Sequence, residues 1–131
     1  MTPTVQRFRK LITAARAAQR AAYAPYSKFP VGAALLTRNG KVFTGVNVEN
    51  ASYGLTMCAE RVAVGKAVSE GHRKFQAIAV VAPHAALTPC GACRQVLAEF
   101  GECVIICADS RHPKRVRLHL LSELLPHAFK L

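Results

Sequence analysis

The chain has 131 residues, of which 51% are hydrophobic and 19% are charged, and this composition predicts one soluble globular domain covering residues 1–131. Its apolar runs, such as residues 77–82, are too short to span a bilayer, and no uninterrupted apolar segment follows the basic N-terminus, which argues against a secretory signal. We therefore expect no membrane segment and a cytoplasmic location, where the five cysteines, an odd number, stay reduced.

The charge balance is strongly basic. Eighteen Lys and Arg residues against seven Asp and Glu residues give a net charge of +11, and such an excess attracts polyanions. The basic residues cluster only at 7–10 and 111–117, and neither cluster contains the interleaved aromatic residues that stack on bases. We therefore favour a solvated basic surface over a nucleic-acid interface.

The first half of the chain predicts a helix followed by a hairpin. Apolar residues recur at helical spacing from Thr4 to Ala22, and Pro25 ends that pattern within a loop that reaches residue 30. Two strand-like runs follow at residues 31–37 and 41–48. The Asn-Gly pair at the turn between them is a strong hairpin signal. Residues 49–57 are polar and irregular, which predicts a loop.

The second half alternates helices with strands. A helix is predicted from about Met57 to Ser69 or Glu70, with Gly71 as its C-cap, and another from Cys90 to Phe100, with Gly101 after it. The remaining predicted elements are buried strands at 75–82 and 103–108, a loop at 83–89, a short strand at 115–120 and a last helical turn at 122–126, capped by Ser122. Continuous apolar strands separated by helices indicate an α/β fold whose sheet is covered on both faces.

Cysteines at two predicted helix starts are the chemically informative residues. Cys90 and Cys93 form a C-x-x-C pair on the first turn of one helix, where the helix dipole favours thiolates. Alone, the pair is also consistent with a thiol oxidoreductase or with two buried structural thiols. Cys58 lies at the start of the preceding helix, and Glu60 follows it by two positions. A thiol oxidoreductase gives these two residues no role.

Three thiolates form an incomplete tetrahedron for zinc, because structural zinc sites usually have a fourth protein ligand. The open position leaves room for a water molecule, and the carboxylate of Glu60 could take and return its protons. Three thiolates and one zinc ion carry a net negative charge. Arg61, three residues after Cys58, can donate hydrogen bonds to a thiolate and offset part of that charge.

The pattern Cys-x-Glu followed by Pro-Cys-x-x-Cys has the form found in zinc deaminases. Four segments, "YAPYSKFPVGAALL", "GVNVENASY", "CAER" and "TPCGACRQVL", resemble the small homotetrameric cytidine deaminases of free-nucleoside salvage. The resemblance runs from about Ala22 to Phe129. It implies a three-layer α/β/α fold with a mixed five-stranded sheet, one Zn²⁺ per subunit, and hydrolytic deamination of cytidine or 2'-deoxycytidine.

The resemblance also implies roles for individual residues. Cys58, Cys90 and Cys93 match the zinc ligands, Glu60 matches the proton shuttle, and Arg61 matches the arginine that partners the sulfurs. The matches for nucleoside binding are Phe29 against the base, Asn47 and Glu49 on the ribose hydroxyl, and Ala59 at the exocyclic amine. Tyr53 and Phe129 match residues of an intersubunit pocket. From the residues alone, Asn47 and Glu49 fit a turn network equally well.

Three alternatives remain at this stage. A deaminase of a modified cytosine nucleoside, such as a blasticidin-type antibiotic, would share the core motifs, but Phe29 and the full "NVENASY" segment favour the cytidine group. A polynucleotide-editing deaminase would suit the basic charge. However, "NVEN" resembles a segment that binds a free ribose hydroxyl of a nucleoside, and in a polynucleotide that hydroxyl would be esterified. A basic zinc-stapled RNA-binding module would leave Glu60 dispensable.

Overall fold

The computed structural model describes residues 4–85 and 87–131. Residues 1–3 of the predicted domain, and Ala86 of the predicted 83–89 loop, lie outside the described residues. The five strands are β1 (Gly32–Thr37), β2 (Val42–Val46), β3 (Phe75–Ala82), β4 (Val104–Asp109) and β5 (His112–Leu120). The helices are α1 (Arg9–Gln19), α2 (Ala59–Ser69), α3 (Gly91–Ala98) and α4 (Leu121–Leu124), with 3-10 turns at Gln6–Phe8 and Tyr53–Leu55.

The strands form one mixed sheet in the order β2-β1-β3-β4-β5. Strands β3 and β4 are parallel, and every other neighbouring pair is antiparallel. The parallel pair is joined through α3, as a parallel connection requires. The mixed five-stranded sheet predicted from the resemblance is confirmed.

Helices cover both faces of the sheet, because alternate residues of each central strand point to opposite sides. On one face, the Gln6–Phe8 turn buries Phe8, and α1 buries Leu11 and Ile12, against β3 and β4 residues such as Val81 and Ile106. On the other face, α2 and α3 pack against a second cluster that contains Leu35, Ile78, Ile105 and Cys107. Two cores on one sheet explain why β3 and β4 are apolar at nearly every position.

Two glycines allow the helices to lie close to the sheet. A Cβ atom at Gly32 would lie 2.2 Å from the carbonyl oxygen of Ala15 in α1, and one at Gly45 would lie 2.3 Å from that of Ala59 in α2. Real Cβ atoms do not approach backbone this closely, so both positions require glycine. Gly45 therefore sets the position of the first turn of α2.

Some predicted boundaries were wrong. The first helix is α-helical only over Arg9–Gln19, and β5 begins at His112, three residues before the predicted strand. The last helical turn begins at Leu121, and Ser122 does not cap it. The hydroxyl of Ser122 instead donates to Glu102, while Glu123 accepts a 2.8 Å hydrogen bond from the backbone N–H of Leu120. The hydroxyl of Ser122 is therefore bound by the Glu102 carboxylate and does not cap the helix.

Candidate active site

The starts of α2 and α3 converge at the carboxyl end of β3. Cys58 is the N-cap residue of α2 and Cys90 that of α3, while Cys93 lies on the first turn of α3. Neither N-cap side chain makes a capping hydrogen bond to the backbone of its own helix, so both thiols can face the space between the two helix ends. This is where α/β proteins usually bind ligands, outside the carboxyl ends of parallel strands.

The three sulfurs lie close enough to bind one metal ion. All three Sγ atoms lie within 4.8 Å of one another, and those of Cys58 and Cys90 are 3.9 Å apart. A tetrahedral zinc site with Zn–S bonds of about 2.3 Å places its sulfurs about 3.8 Å apart, so the donor set and its spacing fit Zn²⁺. Among the described residues, no fourth His, Cys, Asp or Glu joins this cluster.

The charge on the sulfurs is stabilised from several directions. The pKa of Cys58 is lowered because its sulfur accepts hydrogen bonds from the Cys93 thiol, from Arg61 and from Cys90. The pKa of Cys93 is raised because it keeps the proton that it shares with Cys58 and because it is buried. The guanidinium of Arg61 lies 3.5 Å from the Cys58 sulfur, as its spacing predicts.

Glu60 is a buried carboxylic acid, with only 5% of its surface exposed. Burial raises its pKa to about 7, and the nearby Cys58 thiolate adds to the shift. A cation held by the sulfurs would oppose this shift, since it favours the ionised carboxylate. A carboxylic acid with a shifted pKa, buried beside a cluster of cysteines that could hold a metal ion, is typical of an active site.

Glu60 shares a cavity with two of the three cysteines. This thiol cavity has a volume of about 480 Å³. Its lining residues are Val31, Asn47, Thr56, Cys58, Ala59, Glu60, Val80, Ala82, Leu87, Thr88, Pro89, Cys90 and Arg94. The volume is within the range of small-molecule sites, about 300–1,000 Å³. A larger cavity of about 570 Å³ near the C-terminus, between Ala98 and Lys130, has none of the three clustered cysteines in its lining.

The residues predicted to bind the nucleoside fall into two groups. Asn47 and Ala59 line the thiol cavity, whereas its described lining includes neither Phe29 nor Glu49. Asn47 also holds backbone, because its side chain accepts a 2.9 Å hydrogen bond from the Val31 N–H and donates one of 2.9 Å to the Phe29 carbonyl.

The carboxylate of Glu49 accepts hydrogen bonds from the backbone N–H groups of Tyr26 and Ser27, at 3.0 and 3.1 Å. These bonds, together with those of Asn47, organise the segment between α1 and β1. The turn network considered from the sequence is therefore present. Any hydrogen bond from Asn47 or Glu49 to a sugar would be made in addition to this network.

The two residues predicted for an intersubunit pocket are exposed. Tyr53 is 75% exposed and packs edge-on against the ring of Tyr26, with ring centroids 6.1 Å apart. Phe129 is 69% exposed, and its carbonyl accepts a 3.1 Å hydrogen bond from Gln95 of α3. Both rings are therefore available for contact outside the chain.

Arg94 is the residue of this site that the sequence analysis missed. Its guanidinium donates to the carbonyls of Pro89 and Leu124, both at 2.7 Å, and to the hydroxyl of Thr88 at 2.9 Å. Its position directly after Cys93, on the same helix turn, could have indicated that Arg94 belongs to the site. Its contact with the carbonyl of Leu124 near the C-terminus is not evident from the sequence.

Comparisons with known proteins agree with this geometry. Residues 6–108 match the model of the family described as the cytidine and deoxycytidylate deaminase zinc-binding region. A cytidine deaminase of Halalkalibacterium halodurans is 52% identical over 120 residues, which is 91% of each chain. A probable cytidine deaminase of Dictyostelium discoideum is 57% identical over 100 residues, covering 75% of this chain and 68% of the relative.

Solved structures give the same relationship. The crystal structure of cytidine deaminase from Burkholderia pseudomallei superposes with a TM-score of 0.88 at 52% identity, covering 92% of this chain and 98% of the other. A blasticidin-S deaminase of Bacillus cereus is more distant, with 32% identity over 90 residues, or 61% of this chain and 64% of the relative. The chain therefore belongs to the cytidine and deoxycytidylate deaminase family, which binds zinc.

Proposed function

We propose that this chain is a cytidine deaminase that hydrolyses the C4 amino group of cytidine, of 2'-deoxycytidine or of both, as a single catalytic domain. The products are uridine or 2'-deoxyuridine and ammonia, which places the enzyme in pyrimidine salvage. The observation that carries the proposal is the buried Glu60 carboxylate in the same cavity as Cys58 and Cys90, two members of the three-cysteine cluster. The names of the relatives support the choice of substrate.

Cys58, Cys90 and Cys93 would hold the zinc ion. When bound, zinc supplies a Lewis acid that makes water nucleophilic near neutral pH. The hydrogen bond from Arg61 to the Cys58 sulfur and the N-termini of α2 and α3 stabilise the thiolate form of the ligands. These contacts also offset the negative charge that three thiolates would otherwise place beside the reacting water.

Glu60 is the proposed proton shuttle. Its carboxylate accepts a proton from the water that adds to C4, and delivers a proton to N3 of the ring. It then takes the remaining proton from the C4 hydroxyl and passes it to the amino nitrogen, so that the C4–N bond breaks and ammonia leaves as the C4 carbonyl forms. Because Glu60 is buried beside the cluster, it exchanges these protons with the substrate more readily than with solvent.

The proposed nucleoside contact of Asn47 uses hydrogen-bonding groups that are not engaged within the fold. The amide of Asn47 makes one hydrogen bond through its oxygen and one through its nitrogen, so one N–H and one lone pair remain for a ribose hydroxyl. We assign Glu49 to the same hydroxyl and Phe29 to the base. Backbone groups near Ala59 and Thr88, both in the cavity lining, are assigned to the exocyclic amine.

We further propose a cytoplasmic homotetramer whose subunits share active sites. The exposed rings of Tyr53 and Phe129 support this assembly, since large exposed aromatic side chains are typical of interfaces. A set of thiolate ligands supports a reducing compartment. Within the described residues, no helix has the length and apolar character needed to cross a membrane.

The direct test is a spectrophotometric assay of purified protein with cytidine, deoxycytidine and blasticidin S, combined with zinc analysis. We expect the ultraviolet change of cytidine to uridine with wild type, its loss in Glu60→Gln, and nearly unchanged zinc content in that variant. Removing a general acid–base group costs about 10²- to 10⁴-fold. Turnover of blasticidin S alone would favour the antibiotic deaminases. Full cytidine turnover by Glu60→Gln would refute the assigned role.

A further inference from the structure

A second polar cavity lies at the opposite end of α2 from the thiol cavity. Its volume is about 360 Å³, and its lining residues are Arg38, Asn39, Gly71, His72, Arg73 and Lys74. Since α2 has 11 residues, the two ends of this helix are separated by about 16 Å. All charged side chains in this lining are cationic, and we refer to it as the basic cavity.

The basic cavity is built from two segments that the sheet fixes side by side. The β1–β2 turn supplies Arg38 and Asn39, and the loop between α2 and β3 supplies residues 71–74. The backbone N–H of Arg38 donates a 2.9 Å hydrogen bond to the carbonyl of Lys74. Thr37 pairs with Phe75 in the sheet, so the two segments are held in register immediately beside the cavity. The cations thus project from an ordered frame.

The positive charge of this cavity is not neutralised within the chain. In the described residues, the only ion pairs are those of Arg111 and Arg115 with Asp109. The carboxylate nearest in sequence, Glu70, is not among the residues of the cavity lining. The C-terminal end of α2 contributes about half a negative charge, which three full positive charges exceed. An anion is therefore attracted to this site.

The hydrogen-bond donors are also free. No hydrogen bond within the described chain uses the side chains of Arg38, Arg73 or Lys74 as donors. The side-chain oxygen of Asn39 is engaged by the hydroxyl of Thr37, which leaves its amide N–H groups for a ligand. His72 packs its ring against Phe43, with centroids 5.2 Å apart, which fixes one wall.

We propose that the basic cavity binds the phosphate groups of a phosphorylated ligand. Guanidinium groups bind phosphate through paired N–H donors, and Lys adds a compact point charge. The cavity volume suits a diphosphate or the phosphate end of a nucleotide better than a single small ion. Phosphates could come from a small metabolite or from a nucleic-acid backbone, and the two sources are separated by experiment.

The test is isothermal titration calorimetry of the purified, zinc-loaded protein with inorganic pyrophosphate at fixed ionic strength. We expect one saturable site per chain, with affinity at least tenfold lower in the double variant Arg73→Gln/Lys74→Gln. The matched control, Lys10→Gln/Arg20→Gln, removes the same charge from exposed positions of the α1 region. It is expected to bind like wild type. Arg38→Gln, a single change on the other segment, should also weaken binding.

A second titration with single-stranded RNA of 20 nucleotides distinguishes the sources. Binding of the RNA far tighter than pyrophosphate, and lost in Arg73→Gln/Lys74→Gln, would identify a nucleic-acid backbone as the donor of phosphates. RNA binding no tighter than pyrophosphate would identify a small ligand. The proposal is overturned if pyrophosphate shows no saturable binding, or if both double variants weaken it equally, because diffuse surface charge then accounts for the interaction.

Discussion

The guanidinium of Arg94 donates a 2.9 Å hydrogen bond to the hydroxyl of Thr88, and both residues line the thiol cavity. The same guanidinium holds the carbonyls of Pro89 and Leu124 at 2.7 Å. One side chain therefore connects the segment that precedes Cys90 to the C-terminal part of the chain. Its five donors in a rigid fork explain how it can serve three acceptors at once.

Replacing Arg94 should misplace the segment that carries Thr88. We expect Arg94→Gln to lower kcat/KM for cytidine by about tenfold to a hundredfold, since hydrogen bonds from a charged donor are worth about 1.5–3 kcal/mol each. Zinc content should be retained, because the cysteines remain. The measurement is steady-state kinetics with metal analysis. Arg94→Lys keeps the charge but not the fork, so full activity of that variant would show that the fork is unimportant.

Metal retention should depend on only three of the five cysteines. Cys93→Ser is expected to lose most of its zinc and its activity, because Cys93 is fully buried within the sulfur cluster. Cys103→Ser is the matched control at a second buried thiol, whose pKa burial raises to about 12. It should keep one zinc per chain and lose only about 1–3 kcal/mol of stability from burying a hydroxyl.

Zinc per chain, measured by elemental analysis after gel filtration, compares the two cysteine variants directly. A Cys93→Ser protein with a full complement of zinc would contradict the proposed ligand set. So would a Cys103→Ser protein that folds but has lost its zinc.

The cluster of three cysteines was predictable in part because its signals are local. Cys58 and Cys90 each precede a helical pattern, and Cys93 follows within one turn, so the sequence indicates three thiols near helix starts. The apolar composition of β3 and β4 similarly predicts strands buried on both faces. That the two helix starts meet at one point was inferred from the chemistry of the ligand set and then from the resemblance, because a contact across 32 residues leaves no periodic signal.

Features formed by distant segments were not predictable from pattern alone. Arg94 reaches Leu124, 30 residues away, through a carbonyl that any residue could supply. The basic cavity combines the turn at Arg38 with the loop at Arg73, although neither segment is a basic cluster in the sequence. Ser122 has the residue type of a helix cap, but Glu102, 20 residues earlier, takes its hydroxyl. In each of these three cases the structure is determined by contacts between residues that are far apart in the sequence.

Two glycine substitutions that bear on α2 should have opposite effects. A Cβ at Gly45 would lie 2.3 Å from the carbonyl of Ala59, so Gly45→Ala must push the start of α2 away from the sheet. We expect a loss of about 1–3 kcal/mol in the free energy of unfolding, together with lower activity, since Cys58 and Glu60 move with the helix. Gly65, within α2, has nothing near its missing Cβ.

Gly65→Ala is therefore expected to stabilise the protein by about 0.5–1 kcal/mol through helix propensity, with activity unchanged. Urea unfolding and a cytidine assay on both variants check the pair. If the free energy of unfolding of Gly45→Ala equals that of wild type, α2 can move away from the sheet without loss of stability. The proposal that this glycine positions the site would then be wrong.

Asp109 gives the fold a pH dependence at acid pH. Its side chain is fully buried at the end of β4, and it accepts hydrogen bonds from Arg111 at 2.9 and 3.2 Å and from Arg115 at 3.4 Å. The hydrogen bonds from Arg111 lower its pKa from 3.8 to about 2. Because the folded state favours the carboxylate, this contribution to stability is fully present above the unfolded pKa and is lost as the pH falls towards 2.

We expect Asp109→Asn to be less stable than wild type at pH 5, and the difference to narrow as the pH falls below 4. Thermal unfolding at pH 5, 4, 3 and 2.5, with a chelator in every sample to remove the effect of zinc, measures that difference. Glu70→Gln, at an exposed carboxylate that forms no ion pair within the described chain, is the control, and its difference from wild type should stay small and constant. A gap between wild type and Asp109→Asn that does not change with pH would show that the arginines stabilise the side chain at position 109 regardless of its charge.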